Sequence, residues 1–257
     1  MAVRSPNINV MVSAAFKAAR RLARDFGEIE NLQVTPKGTE HFVATSREKA
    51  SRVLADELGK ARPDYGMVMA GAAARGGGAE QRWIVDPING VLNFAHGIPN
   101  FALTIAVQSG AEVIAGIVYD PLRDDLFWSD KGTGAYINDR RLRVSGRKDP
   151  ATALVGTHGD GAVTEDASER ALAGRAAGIR RMGCAALDLS AVAAGRLDGF
   201  WAKSLKPWDV AAGVLLVREA GGYATAFGGA GDPLSGAGIL AANAHLHAAL
   251  GAVLHAA

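Results

Sequence analysis

The chain has 257 residues, enough to bury one large core or two closely packed halves. Its 28 basic residues nearly balance 26 acidic ones, so no basic excess points to a nucleic-acid partner. One cysteine, Cys184, excludes an internal disulfide and fits a reducing compartment. No apolar run approaches the roughly 20 residues that a membrane helix needs, and the N-terminus does not read as a signal peptide; the expected localisation is cytoplasmic.

Near the N-terminus, Ile8, Met11, Val12, Ala15, Ala19, Leu22, Ala23 and Phe26 share one helical face, with Arg20, Arg21 and Arg24 between them. This predicts a core-packing helix that stops at Gly27. A second helix is expected over 45–59, because Thr45 and Glu48 have capping-box spacing. The glycine- and alanine-rich stretch 71–79 reads as a mobile loop. It leads into a short apolar strand, 82–85, that ends at Asp86-Pro87. Strands follow at 101–107 and 112–119, then a hairpin set at 124–129 and 134–144. Beyond residue 150 the pattern changes: a strand at 151–157, a polar surface helix at 165–177, a buried helix at 185–194, and helices at 208–220 and 243–255. The expected organisation is an N-terminal α+β half, 1–149, and a C-terminal α/β half, 150–257, packed as one unit with a site between them.

Two segments stand out. One is Trp83-Ile84-Val85-Asp86-Pro87-Ile88-Asn89-Gly90-Val91-Leu92-Asn93-Phe94; the other is Leu205-Lys206-Pro207-Trp208-Asp209-Val210-Ala211-Ala212-Gly213, continuing to Glu219-Ala220-Gly221-Gly222. Alone, the first is a turn around Asn-Gly, and the second an Asp at a helix start beside a buried aromatic. Together, in this order and spacing, they resemble the motifs of the inositol monophosphatase family. Gly183-Cys184-Ala185-Ala186-Leu187-Asp188, Val192-Ala193-Ala194-Gly195-Arg196-Leu197-Asp198, Asn138-Asp139-Arg140-Arg141-Leu142 and Ala241-Ala242-Asn243 extend the resemblance over nearly the whole chain. It implies an α/β (α+β) fold, a layered αβαβα sandwich, assembled as a homodimer.

The resemblance also implies a chemistry. Family members hydrolyse phosphate monoesters with two or three Mg²⁺ ions held by carboxylates, which are the oxygen donors hard cations prefer, and an activated water attacks the phosphorus. Asp86 and Asp209 take the places of two metal-bridging carboxylates, and Ile88 offers its backbone carbonyl. Asn89 stands where the family has a further Asp, making it at most a weak ligand. Ala70 and Gly71 occupy the positions of a Glu-Glu pair. Val91 replaces the Thr that positions the water, and Arg47 the Asp that pairs with it, so no catalytic residue is assigned. Ala202 stands where many members keep a Glu that reads substrate hydroxyls. Gly90, Val91, Leu92, Cys184 and Ala185 fall in the phosphate- and substrate-binding segments.

These replacements predict a pseudoenzyme or a very weak phosphatase, with Mg²⁺ as its metal if it takes one at all. Its partner would be a phosphorylated small molecule, with no nucleic acid and no membrane. Two alternatives are an active Mg²⁺-dependent phosphatase of inositol, polyol or sugar phosphates, and a non-catalytic subunit pairing with an active paralogue. A guanidinium at Arg47 is expected to stand in for metal charge beside Asp86 and Asp209. His41 and His96 lack a second histidine at zinc spacing. Arg140-Arg141 and Arg180-Arg181 read as solvated edges.

Overall fold

The computed structural model describes residues 3–32, 36–158, 167–229 and 231–255, with the side chains of 30–32, 36, 37 and 255 left aside. Two long helices come first, α1 (Pro6–Leu32) and α2 (Pro36–Ala61). Seven strands follow: β1 (Gly66–Met69), β2 (Gln81–Asn89), β3 (Ala102–Ser109), β4 (Glu112–Asp120), β5 (Asp125–Asp130), β6 (Gly134–Ile137) and β7 (Arg140–Arg141), with the short helix α3 (Val91–Ala95) between β2 and β3. They form one sheet in sequence order, antiparallel except where β1 runs parallel to β2. The second sheet has the order β11-β12-β10-β8-β9, from β8 (Leu154–His158), β9 (Gly178–Arg180), β10 (Gly199–Ala202), β11 (Tyr223–Ala226) and β12 (Ile239–Ala242). Helices α4 (Ala167–Leu172), α5 (Ala185–Ala193), α6 (Pro207–Glu219) and α7 (Ala244–His255) complete the chain.

Three apolar clusters define the layers. α1 and α2 cover one face of the seven-stranded sheet through Ile8, Met11, Leu22, Leu54 and Leu58. α5 and α6 fill the space between the sheets, and α4 and α7 cover the outer face of the five-stranded sheet. The result is the αβαβα sandwich. Residues 210–217 of α6 are all buried, as a helix lying between two sheets requires.

The alternation along β2 positions the site. Trp83 and Val85 point to the α1–α2 cluster, and Ile84 to the α5–α6 cluster. A period of two therefore places Asp86 on the α6 side. Its register partner on β3 is Thr104, whose hydroxyl donates to the Trp208 carbonyl at 3.0 Å and ties the sheet to the start of α6.

Several element boundaries differ from expectation. α1 runs through Gly27 to Leu32: a helical glycine costs about 1 kcal/mol, but Phe26 packs on Phe101 at 5.2 Å and Ile29 is buried beyond it. α2 begins at Pro36, not residue 45, because its buried stripe of Val43, Ala50, Leu54 and Leu58 starts before Thr45. The strand expected over 82–85 extends to Asn89, with an irregularity between Asp86 and Asn89. The second hairpin ends at Arg141, its turn carrying Asn138 at φ 51. β8 begins only at Leu154, after a 3₁₀ turn over Pro150–Thr152. The helix expected over 165–177 is short, α4 giving way near Gly174 (φ 77); its expected start at 165–166 lies outside the described residues. No strand was expected at β1, β9, β10, β11 or β12. β10 and β12 are four-residue runs buried throughout, which carry no alternation to read.

Candidate functional site

The end of β2, the start of α6 and the start of α5 meet at three side chains, Asp86, Asn89 and Asp209. Asp86 accepts from the Ile88 backbone N–H at 3.2 Å and from Asn89 Nδ2 at 3.0 Å. Asn89 Nδ2 also donates to Asp209 Oδ1 at 3.0 Å, so one amide nitrogen bridges both carboxylates. The orientation of that amide is set from behind. Its Oδ1 accepts from the Ala186 backbone N–H at 3.0 Å and the Cys184 thiol at 3.3 Å. A flipped amide would set two donors against each other at Ala186 and an oxygen against two carboxylates, so the hydrogen bonds admit one arrangement. Asp209 is further anchored by the Lys206 backbone N–H at 2.8 Å, the usual role of an acid in the first turn of a helix.

Bridging distances of 3.0 Å keep the two accepting oxygens no more than about 6 Å apart. Two unit charges at that separation repel by about 3 kcal/mol at an effective dielectric near 20. Burial pushes the Asp86 carboxyl up to about 6, and the Asp209 charge adds to the rise, while the Asn89 amide and the Arg47 charge oppose it. Burial also raises Asp209, against the Lys206 N–H and the charges of His158 and Arg47.

Arg47 projects from α2 toward this pair. Its guanidinium lies against Gly71, where a Cβ would sit 3.5 Å from Cζ. Its Nε is buried without a hydrogen-bond partner among the described residues. Ala70 is buried at the turn after β1, and with Gly71 it brings no donor side chain to the site. Arg47, Ala70, Gly71, Val91 and Leu92 line one cavity of about 1020 Å³ beside the carboxylates.

The segment after β2 is held by its glycines. Gly90 has φ 90, and a Cβ there would meet the Asn100 carbonyl at 3.0 Å and Cys184 Cβ at 3.2 Å. Asn93 ties the segment to the α5 entrance, donating to the Met182 and Asn100 carbonyls, both at 2.8 Å. Cys184 and Ala185 are fully buried, and burial drives the Cys184 thiol well above its ordinary value, so Ala185 packs and Cys184 packs while donating to Asn89. Ala202 ends the buried strand β10, inside the cluster between the sheets. His96 borders the cavity, while His41 is exposed on α2. Arg181 pairs with Glu169, and Arg140 and Arg141 are exposed.

One acid carried the resemblance but received no role from the sequence. Asp188, on α5, is fully buried, and neither carboxylate oxygen has a hydrogen-bond partner among the described residues. Burial alone pushes it up to about 8. The available signal was a single acid within an otherwise apolar helix.

The Mg²⁺ ions implied by this kind of fold need several anionic oxygens. Asp86, Asp209 and the Ile88 carbonyl remain, but the Asn89 amide directs N–H groups at both carboxylates. Among the described residues no three His, Cys, Asp or Glu side chains gather where a metal could be held. This donor set does not fit a carboxylate-bound metal pair.

Residues 4–257 match the model of the "Inositol monophosphatase family". The "Inositol-1-monophosphatase" of Rhizobium meliloti is 47% identical over 261 residues, covering 98% of this chain and 97% of that protein. The "Nus factor SuhB" of Pseudomonas aeruginosa is 37% identical over 255 residues, covering 95% and 94%. Among solved structures, the extragenic suppressor protein suhB from Bartonella henselae superposes with a TM-score of 0.89 at 42% identity, over 98% of this chain and 100% of that one. The inositol monophosphatase from Anabaena gives 0.86 at 30% identity, over 96% and 94%. The chain belongs to the inositol monophosphatase family.

Proposed function

We propose that this chain keeps the inositol monophosphatase scaffold but hydrolyses phosphate monoesters very weakly or not at all. The observation that carries this reading is the Asn89 amide, held by Ala186 and donating to both Asp86 and Asp209 where a cation would otherwise sit between acids. Val91 and Arg47 add to it: neither side chain can take a proton from water at neutral pH. Such a member acts by binding, with a phosphorylated small molecule as the ligand class its relatives suggest and a second copy of the chain as its partner. Mg²⁺ is then dispensable.

The second reading is a working Mg²⁺-dependent phosphatase of inositol, polyol or sugar phosphates. The relatives favour it, since a protein 47% identical to this chain carries the name inositol-1-monophosphatase. A third, a non-catalytic subunit paired with an active paralogue, draws on the same site chemistry as the first. Phosphate release from inositol, sugar and nucleotide monophosphates with Mg²⁺ or Mn²⁺ separates the first two, with Asp86→Asn protein as the control. Release above the control establishes the second reading; release equal to the control supports the first. Native mass with and without a co-expressed paralogue addresses the third. Among the described residues no helix is long and apolar enough to cross a membrane.

A further inference from the structure

A strip of cations runs along one end of the seven-stranded sheet, over residues 140–148. Leu142 is buried and Val144 packs on the cluster between the sheets, so Arg141 and Arg143 point outward from extended backbone. The segment is pinned at close intervals. The Leu142 N–H donates to the Ala135 carbonyl at 2.8 Å, and the Val144 N–H to the Ala220 carbonyl at 3.2 Å. Asn243 Nδ2 donates to the Ser145 and Arg147 carbonyls at 2.9 and 2.8 Å. Gly195 brings Arg196 alongside, since a Cβ there would lie 3.1 Å from the Arg143 carbonyl. Arg140, Arg141, Arg143, Lys148 and Arg196 are all exposed, and none forms an ion pair with a described residue. Arg147 is paired, with Asp198 at 3.2 Å. Of the acids next to the strip, Asp139 is exposed, Asp149 accepts from the Ala151 N–H, and Glu219 accepts from Gly132 and Gly134.

Like charges fixed side by side repel, so the strip does not serve stability. Charged side chains on a sheet edge keep other strands away, which accounts for Arg140 and Arg141 on β7. It does not account for Arg143, Lys148 and Arg196, which stand outside any strand. We infer that this strip docks an extended acidic segment of a partner protein, with carboxylates at alternate positions. Positions two apart on extended backbone are separated by about 6.6 Å. Carboxylates two apart on an extended peptide therefore meet Arg141 and Arg143 in register, each matching a guanidinium fork. Residues 140–148 include no aromatic side chain on which a base could stack, which favours a peptide over single-stranded nucleic acid. None of these residues lines the cavity beside Asp86 and Asp209, so the inference goes beyond the proposed function and stands whether or not turnover survives.

The test is fluorescence anisotropy of the full-length protein with a labelled peptide of alternating glutamate and serine. About eight residues suffice to span the strip at roughly 3.3 Å each. Its glutamine-for-glutamate counterpart and a single-stranded RNA of similar length are titrated beside it. The expected result is saturable binding of the acidic peptide, weakening as salt is added and loosened at least tenfold in the double variant Arg143→Glu, Arg196→Glu. Lys148→Glu alone should loosen it about threefold with an unchanged melting temperature, and Arg143→Lys less than that. Arg20→Glu, on the exposed face of α1, should leave it unchanged. Absent binding at low salt, equal binding of the glutamine peptide, or parental affinity in folded Lys148→Glu and double-variant protein each overturns the inference. So does a loss in Arg20→Glu as large as that in Lys148→Glu, or tighter binding of the RNA than of the peptide.

Discussion

Two groups of acids, Asp86 with the half-buried Asp209 and the fully buried Asp188, lie at opposite extremes of satisfaction. Asp86 and Asp209 face each other across one amide and accept four hydrogen bonds between them. Asp188, on the neighbouring helix α5, accepts none from the described residues. The carboxyl of Asp86 rises only to about 6, whereas that of Asp188 rises to about 8. Burial acts on both; the difference lies in the donors that reach the charged form. With donors, Asp86 keeps its charge near neutrality; without them, Asp188 keeps its proton.

The largest effect that would break this comparison is at Asp188. Its folded value is raised, so the native state holds a proton that the unfolded chain has lost. Stability is then greatest below the ordinary carboxylate range and falls as pH rises toward 8, levelling off above it. Asp188→Asn, which has no proton to lose, should flatten that decline and gain several kcal/mol over the parent at pH 8. Denaturant midpoints at pH 5 and pH 8 measure it, and parallel curves for parent and variant would remove the contrast between the two groups.

Asn89→Asp sharpens the other side. A third carboxylate replaces two donated hydrogen bonds, which should cost about 3 kcal/mol in EDTA, or a melting temperature lower by roughly 6 °C in a chain of this size. Mg²⁺ should restore much of that loss in the variant and leave the parent unmoved. A parent that melts markedly higher in Mg²⁺ would mean that the amide does not displace the cation.

A smaller effect concerns the frame around the pair. Gly183 has φ 78, and a Cβ there would fall 2.9 Å from Asn93 Nδ2, the atom that ties the α5 entrance to the segment after β2. Gly183→Ala should cost about 2 kcal/mol, visible as a lower denaturant midpoint. The smallest expected change is at a distance from both groups. Glu219 accepts from the backbone N–H groups of Gly132 and Gly134 at 2.7 and 2.8 Å, and its loss in Glu219→Ala should cost about 1 kcal/mol. A loss as large as that at Asn89 would show that burial of the acids has little to do with their importance.

Much of the molecule was legible before any coordinates. The helical face from Ile8 to Phe26, the apolar runs of β3 and β4, the buried helix α5 and the existence of α6 follow from patterns that a core imposes on any chain. The motif around Asp86 and the one around Asp209 could be paired by resemblance, and the structure brings them within reach of one amide. Helix ends were less legible. Gly27 and Thr45 carry local stop and start signals, and burial of Ile29 and Val43 overrides both. The short strands of the second sheet were missed because four buried residues have no polar face to alternate with.

Residue identity alone determined which atoms stand at the site: two carboxylates, an amide where an acid is usual, a guanidinium, and no hydroxyl at Val91. Those are properties of side chains and need no fold. Which way the Asn89 amide faces, and that Asp188 has no donor, depended on segments roughly a hundred residues apart in one case and on the packing of a whole layer in the other. The Ala186 N–H that orients the amide lies 97 residues further along the chain. Hydrogen bonds act over about 3 Å, so their pairing is set by how layers stack and not by order along the chain.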